Sequence, residues 1–269
     1  MQSANINLED PNYAYLFGFI QTDGHLYSNT RDRGCLSIEI GKIDEDLLWA
    51  FKKLIPFNSS ITERVRQTNF SSKHTSVIWR VYDKRFRDYL EAWGLPIGSK
   101  SELIKPPRCC FSRVDYFRGL IDGDGSLGLT SKGFPFLSLV TSSSYIAVEY
   151  LDLINQITGK AKTSNRNTRD GVYNIVVYKE DAQLLASHLY YDGCLALSRK
   201  QIKASEVQRW LRPLNMKRVT SRKPWTLEED LYITTHSVEY SMKVLGRSQN
   251  SIELRLWRLR KRSKQLVTN

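Results

Sequence analysis

A ten-residue stretch occurs twice in this chain, and the repeat constrains the fold more than any other feature. Leu16-Phe17-Gly18-Phe19-Ile20-Gln21-Thr22-Asp23-Gly24-His25 comes first, and Phe117-Arg118-Gly119-Leu120-Ile121-Asp122-Gly123-Asp124-Gly125-Ser126 follows. Both copies place an apolar residue first, glycine third, an apolar pair fourth and fifth, Asp eighth and Gly ninth. Tyr13, Leu16, Phe17 and Ile20 recur at i, i+3, i+4, i+7, the stripe of a helix with a buried face; Tyr116, Leu120 and Ile121 trace a shorter stripe. A glycine inside a helix costs about 1 kcal/mol against alanine, and such a glycine usually admits a second backbone. Gly18 and Gly119 therefore predict two helices packed against each other through their glycines. Gly24 and Gly125 are expected to end those helices in the left-handed cap conformation.

That arrangement leaves Asp23 and Asp124 at helix C-termini, where the dipole is negative and repels a carboxylate. A divalent cation resolves the conflict, because hard cations take oxygen ligands. An ordinary turn aspartate explains one copy taken alone. Two copies in matched frames favour a shared site.

The duplication extends beyond the motif. Each copy is followed by a polar-tipped hairpin (26–43, then 127–141), a helix (44–55, then 144–157), a second basic hairpin (61–82, then 160–178) and a further helix (85–93, then 182–190). Lys100 lies 77 residues after Asp23 and Lys200 lies 76 after Asp124, so the two lysines occupy equivalent places. The expected class is α+β, with two pseudo-twofold αββαββα repeats at 1–104 and 105–212. Hairpins of this kind fit the major groove, which is about 12 Å wide. Arg31, Arg33, Arg64, Arg66, Lys73, Arg80, Lys132, Lys162, Arg166 and Arg169 are the candidate contacts to phosphates and bases.

The repeated motif resembles the LAGLIDADG homing endonucleases in their monomeric, two-motif form. The second copy matches the family pattern closely, and the first departs at its sixth position, where Gln21 stands for the usual acid. The resemblance implies a saddle of antiparallel sheets on double-stranded DNA, and a Mg²⁺- or Mn²⁺-dependent cut of both strands that leaves short 3′ overhangs. It implies metal ligation by Asp23 and Asp124, and active-site basic residues at Lys100 and Lys200. The family's polar, water-orienting position aligns best with Lys42 and Ser142, although lysine departs from the commoner amide. An intron maturase that binds RNA, and a DNA-binding regulator that does not cut, are the alternatives on the same fold.

Charge distribution supports a polyanionic partner. The net charge is +12, and from Arg199 onward 17 basic residues face 6 acidic ones, against 23 and 22 before it. The basic excess is thus C-terminal. After a basic linker, Trp225-Thr226-Leu227-Glu228-Glu229-Asp230 reads as a capped helix start, with Glu229 three residues after Thr226. Leu245-Gly246-Arg247-Ser248 turns into a last basic helix. These elements resemble a Myb/SANT-like helix-turn-helix, expected as a small all-α domain within 213–269. The last helix would enter the major groove, with Arg247, Ser248, Asn250, Arg255 and Arg258 as candidate contacts.

Cys35, Cys109, Cys110 and Cys194 lack metal-ligand or disulfide-framework spacing. His25, His74, His188 and His236 show no triad or metal spacing either. No apolar run approaches the ~18 residues of a membrane span, and residues 1–11 carry neither a signal-peptide nor a transit pattern. A monomeric intracellular protein is the expectation.

Overall fold

The computed structural model describes residues 6–29, 33–68, 71–214, 216 and 224–267; Arg31 lies outside them. Residues 1–212 form one compact unit and 213–269 another.

The first unit is built around two helices, α1 (Pro11–Asp23) and α4 (Arg113–Asp124). Helix α1 starts where Asp10 accepts the backbone N–H groups of Asn12 and Tyr13, with Pro11 in the first helical position. Ala14 to Gln21 are buried on every side, as are Asp115 to Asp122 of α4. A helix covered all round is a central one. The glycines explain how the two approach. A Cβ on Gly18 would overlap the Tyr116 carbonyl oxygen and lie 3.2 Å from Leu120 N. One on Gly119 would overlap the Tyr15 carbonyl and lie 2.8 Å from Phe19 N. The expected glycine seam is present.

The capping glycines differ from expectation. Gly24 (φ −77°) and Gly125 (φ −99°) are extended rather than left-handed. Each is the first residue of a strand leaving the helix, and crowding requires it to be glycine: a Cβ would meet Ile20 O at 2.6 Å or Ile121 O at 2.7 Å.

In the first repeat, β1 (Gly24–Ser28), β2 (Gly34–Gly41), β3 (Ser59–Thr68) and β4 (Ser71–Val81) form an antiparallel sheet in the order β1-β2-β4-β3. Between β2 and β3 come a short 3-10 turn (Lys42–Asp44) and α2 (Glu45–Leu54); α3 (Lys84–Trp93) follows β4. One face of this sheet packs Leu26, Leu36, Ile38, Val77 and Trp79 into the core with Phe51 and Phe86. Helix α3 ends at Gly94, whose φ of 104° is left-handed.

The second repeat has β5 (Gly125–Leu129), β6 (Pro135–Thr141) and β7 (Tyr173–Tyr178) in that order, with α5 (Ser144–Thr158), α6 (Glu180–Leu189) and α7 (Ser198–Gln208). The hairpin expected at 160–178 yields a single strand. Residues 160–165 join no sheet, and Arg166 makes only an isolated bridge to Tyr173. The composition accounts for it. Tyr-Asn-Ile-Val-Val-Tyr at 173–178 is rich in β-branched and aromatic residues, whereas Lys160 to Asn167 is polar and asparagine-containing. Where the expected αββαββα repeat has a second pair of strands, this one has β7 alone, followed by α6 and α7.

The second unit holds α8 (Leu227–Thr235), α9 (Val238–Leu245) and α10 (Gln249–Val267). Thr226 and Glu229 form the expected capping box. Trp225 packs against two arginines, with the Arg247 guanidinium 4.0 Å and that of Arg255 5.9 Å from its ring centre. Arg247 pairs with Glu229 and Arg255 with Asp230, each at 2.6 Å. Ile233 and Ile252 are buried beneath.

Candidate active site

The site forms where α1 and α4 end together. A Cβ on Gly123 would overlap the Asp23 carboxylate and the Thr22 hydroxyl, so the last turn of α4 rests on the last turn of α1. Asp23 and Asp124 are therefore neighbours across the pseudo-dyad. Burial raises the pKa of both, and the Asp23 charge raises that of Asp124 further.

Each helix end meets a buried ammonium. Lys100 Nζ donates to Gln21 O at 2.7 Å and Thr22 O at 2.6 Å. Lys200 Nζ donates to Ile121 O at 2.5 Å, Asp122 O at 2.6 Å and Gly125 O at 2.9 Å. All but Gly125 O lie in the last turns of the two helices, at the negative end of the dipole, and Ile121 O also accepts from Gly125 N. The lysines thus answer the dipole conflict that the sequence assigned to a cation. Burial lowers the pKa of both to about 8, and the neighbouring Asp23 and Asp124 act in the opposite direction.

What remains at the surface of the pair is two carboxylates. Among the described residues no group of three or more His, Cys, Asp or Glu gathers to hold a metal. Two hard oxygen donors at one point fit a magnesium-type ion, which typically binds one or two carboxylates and keeps water and phosphate oxygens as its other ligands.

The sixth motif position is used reciprocally. Tyr15 of α1 donates its hydroxyl to Asp122 of α4 at 2.6 Å, while Tyr116 of α4 donates its hydroxyl to Gln21 of α1. Asp122 also accepts from Tyr190 Oη and Leu197 N, both at 2.7 Å, which ties the motif to the segment entering α7 and Lys200. Burial raises the Asp122 pKa against those three donors. Gln21 donates instead to Lys105 O at 2.9 Å. Arg118, fully buried at the second motif position, donates to Leu195 O and Leu189 O at 2.8 Å and pairs with Asp115. Arg199 joins Asp44 of the other repeat at 3.0 Å; burial raises the Asp23 pKa, and the Arg199 charge opposes that rise. The sequence reading overlooked Tyr15, Arg118 and Arg199. Position marks Tyr15 and Tyr116, each immediately before its motif, but not the residue to which each one bonds.

The other candidates are more dispersed. Lys42 and Ser142 hold equivalent places just after β2 and β6, but the Lys42 ammonium is engaged by Glu45 at 2.7 Å and Glu63 at 3.0 Å. Arg64, Arg66 and Arg80 lie on the sheet face opposite the core, and Arg33 is exposed beside β2. Lys73 is in β4, with its side chain outside the described residues. Lys132, Arg166 and Arg169 are exposed and Lys162 is half-buried, all outside the strands. Ser248, Asn250 and Arg258 are exposed at or on α10. Arg247 and Arg255 pair with Glu229 and Asp230, and Arg247 lies over Trp225.

Two abutting helices that each end in an aspartate, flanked by antiparallel sheets, make up the LAGLIDADG homing-endonuclease fold. Among solved structures, the chain is similar to the homing endonuclease I-WcaI bound to its DNA recognition sequence, with a TM-score of 0.53 and 13% identity over 76% of this chain and 88% of that one. It is also similar to mesophilic variants of the homing endonuclease I-DmoI (TM-score 0.48, 16% identity, 73% and 99% covered). A third likeness is to the N-terminal LAGLIDADG domain of DUF199/WhiA (TM-score 0.46, 13% identity, 71% and 86% covered). No protein-family model and no curated protein matches the sequence.

Proposed function

We propose that the chain is a site-specific endonuclease that cuts both strands of a long double-stranded DNA target. One observation carries the reading: two aspartates meet at adjoining helix ends, each beside a buried lysine in an equivalent position. One carboxylate and one ammonium per half give two similar sites close together, as two cuts on opposite strands require. The resemblance adds short 3′ overhangs, and the I-WcaI likeness supports double-stranded DNA as the partner.

Asp23 and Asp124 would hold Mg²⁺ or Mn²⁺, which when bound supplies a nucleophilic water at neutral pH and neutralises phosphate charge. Lys100 and Lys200 keep positive charge behind the carboxylates and fix the helix ends that present them. Asp122 and Gln21 anchor the tyrosines that cross the dyad. Arg64, Arg66 and Arg80 offer guanidiniums along one sheet face, suited to phosphates and base edges. The C-terminal unit, as a Myb/SANT-like helix-turn-helix, adds a tethered DNA contact that raises effective concentration at the target. In that unit Arg258, Ser248 and Asn250 remain outward-facing candidates.

The test is cleavage of a duplex selected from a randomised library. Wild type should cut both strands only with a divalent ion. Asp23→Asn and Asp124→Asn should each remove cutting while leaving binding intact. Tight binding with no cutting under any divalent ion would favour the regulator, and preferential binding of intron RNA would favour the maturase.

A further inference from the structure

The faces that the two sheets turn away from the core differ in charge, though each bears an exposed tyrosine, Tyr27 on the first and Tyr178 on the second. Cross-strand register aligns Ser37 with Arg80, Ser60 with Arg80, Arg64 with Ser76 and Arg66 with His74 on the first sheet. Its guanidiniums are pre-positioned: Glu39 lies 3.5 Å from Arg64 and 3.3 Å from Arg66, and Arg80 donates to Thr62 Oγ1 at 3.0 Å. Arg64 and Arg66 are nonetheless about half exposed, at 52% and 45%.

On the second sheet the same register aligns Ser126 with Ser138, Phe136 with Tyr178, Ser138 with Val176 and Val140 with Asn174. No strand residue of that face is charged. Val140 and Tyr178 are open to solvent at 37% and 53%, although apolar packing is available on the core side. Cations stay at the margins: Lys132 in the β5–β6 turn, Arg166 paired with Glu102, Arg169 paired with Asp170, and Lys203, whose stem reaches the β5 edge at Gly128. Cations at the rim and methyl, aromatic and hydroxyl groups in the middle suit a duplex held by its phosphates over a groove floor that is itself partly apolar.

The major groove has one apolar feature, the C5-methyl of thymine, whereas guanine offers paired acceptors that match a guanidinium. We infer that the two half-sites differ in base composition: the half under the first sheet is read at guanines by Arg64, Arg66 and Arg80. The half under the second sheet is thymine-rich and read by packing of Phe136, Val140 and Val176 on thymine methyls. This rests on the DNA-endonuclease reading and specifies its substrate.

Selection of bound duplexes from a randomised library with the full chain tests it, using binding as the readout. Arg64→Ala combined with Arg66→Ala should relax the guanine preference in one half only, which identifies the half under the first sheet; both side chains are exposed, so folding is spared. In the selected duplex, thymines are then replaced singly by deoxyuridine, which removes the methyl and leaves the protein untouched. In the other half each replacement should weaken binding roughly fourfold, the worth of about one buried methyl group; in the arginine-dependent half binding should not change. Equal sensitivity in both halves, sensitivity confined to the arginine-dependent half, or none at all overturns the inference while leaving DNA recognition standing. Failure to enrich any duplex overturns both.

Discussion

The glycine seam makes a quantitative prediction. In Gly119→Ala the new methyl carbon would lie 2.8 Å from Phe19 N and 3.1 Å from the Tyr15 carbonyl carbon, besides overlapping the Tyr15 oxygen. Carbon contacts settle at about 3.5–4.0 Å, so α1 and α4 must part by roughly 0.5–1 Å, a gap that forfeits a quarter to a half of the dispersion well. The neighbours are backbone atoms and have no rotamer in which to yield. Overpacking of this kind costs about 1–3 kcal/mol, and alanine's better helix propensity returns about 1 kcal/mol. With the cost at its upper end, the net loss is about 2 kcal/mol, or a urea midpoint lower by roughly 1 M. Gly18→Ala should behave alike, and the double variant should fall short of the sum because both press on one seam. Gly41→Ala is the control, since its Cβ would meet only Ile43 Cγ2 at 3.9 Å. Parting the helices also separates Asp23 from Asp124, so cleavage should fall further than DNA binding. Circular dichroism in urea together with strand-resolved cleavage measures both. A Gly119→Ala protein with the wild-type midpoint and full cleavage would refute the reasoning.

Other expectations follow from the charges. Lys100 and Lys200 titrate at about 8 in the folded chain against an ordinary 10.5, so the cost of burying their charges is fully present below about 8. That cost fades as pH rises from about 8 to 10.5, so their contribution to stability improves there; cleavage should decline, because the ammonium is the form that holds the helix-end carbonyls. A pH–rate profile climbing through that window would make the neutral amine the working form. Asp122→Asn removes the largest influence that raises the Lys200 pKa, so the alkaline fall of one strand's nicking rate should move to lower pH; identical profiles for both strands would contradict this. Arg247→Ala removes the cation paired with Glu229, whose side chain is 9% exposed and keeps its capping bond from Thr226 N. Breaking a buried pair costs about 3–5 kcal/mol, enough to expose residues 224–267 to protease while residues 1–212 stay resistant. Replacing exposed Arg33 by alanine should lower the slope of log binding constant against log salt by roughly 0.9 if it neutralises one phosphate.

Periodicity and matched frames made much of the fold legible. The interior glycines announced a close helix pair, and offsets of 77 and 76 residues from the two aspartates marked Lys100 and Lys200 as an equivalent pair. Local chemistry also sufficed for the Thr226–Glu229 capping box. Four features resisted. Gly24 and Gly125 read as left-handed caps, yet crowding by Ile20 and Ile121, not a positive φ, is what their positions require. The segment before Tyr173 read as half of a hairpin because its partner strand is strong, but pairing needs two suitable strands. A basic helix does not reveal that Arg247 and Arg255, candidate DNA contacts, also pair with Glu229 and Asp230. The exchange between Tyr15 and Asp122 spans 107 residues, and no local pattern carries a contact at that distance.

That exchange has a consequence for how such a chain can be rebuilt. Each half lends a phenol to its sister and borrows one back, so neither half is finished on its own. A chimera joining this N-terminal half to a foreign C-terminal one would inherit a donor without its acceptor unless positions 15 and 122, and likewise 116 and 21, travel as matched sets. Drift at one member of a set should therefore be tolerated only alongside change in the other, and recombination between related genes would be expected to keep or replace both together.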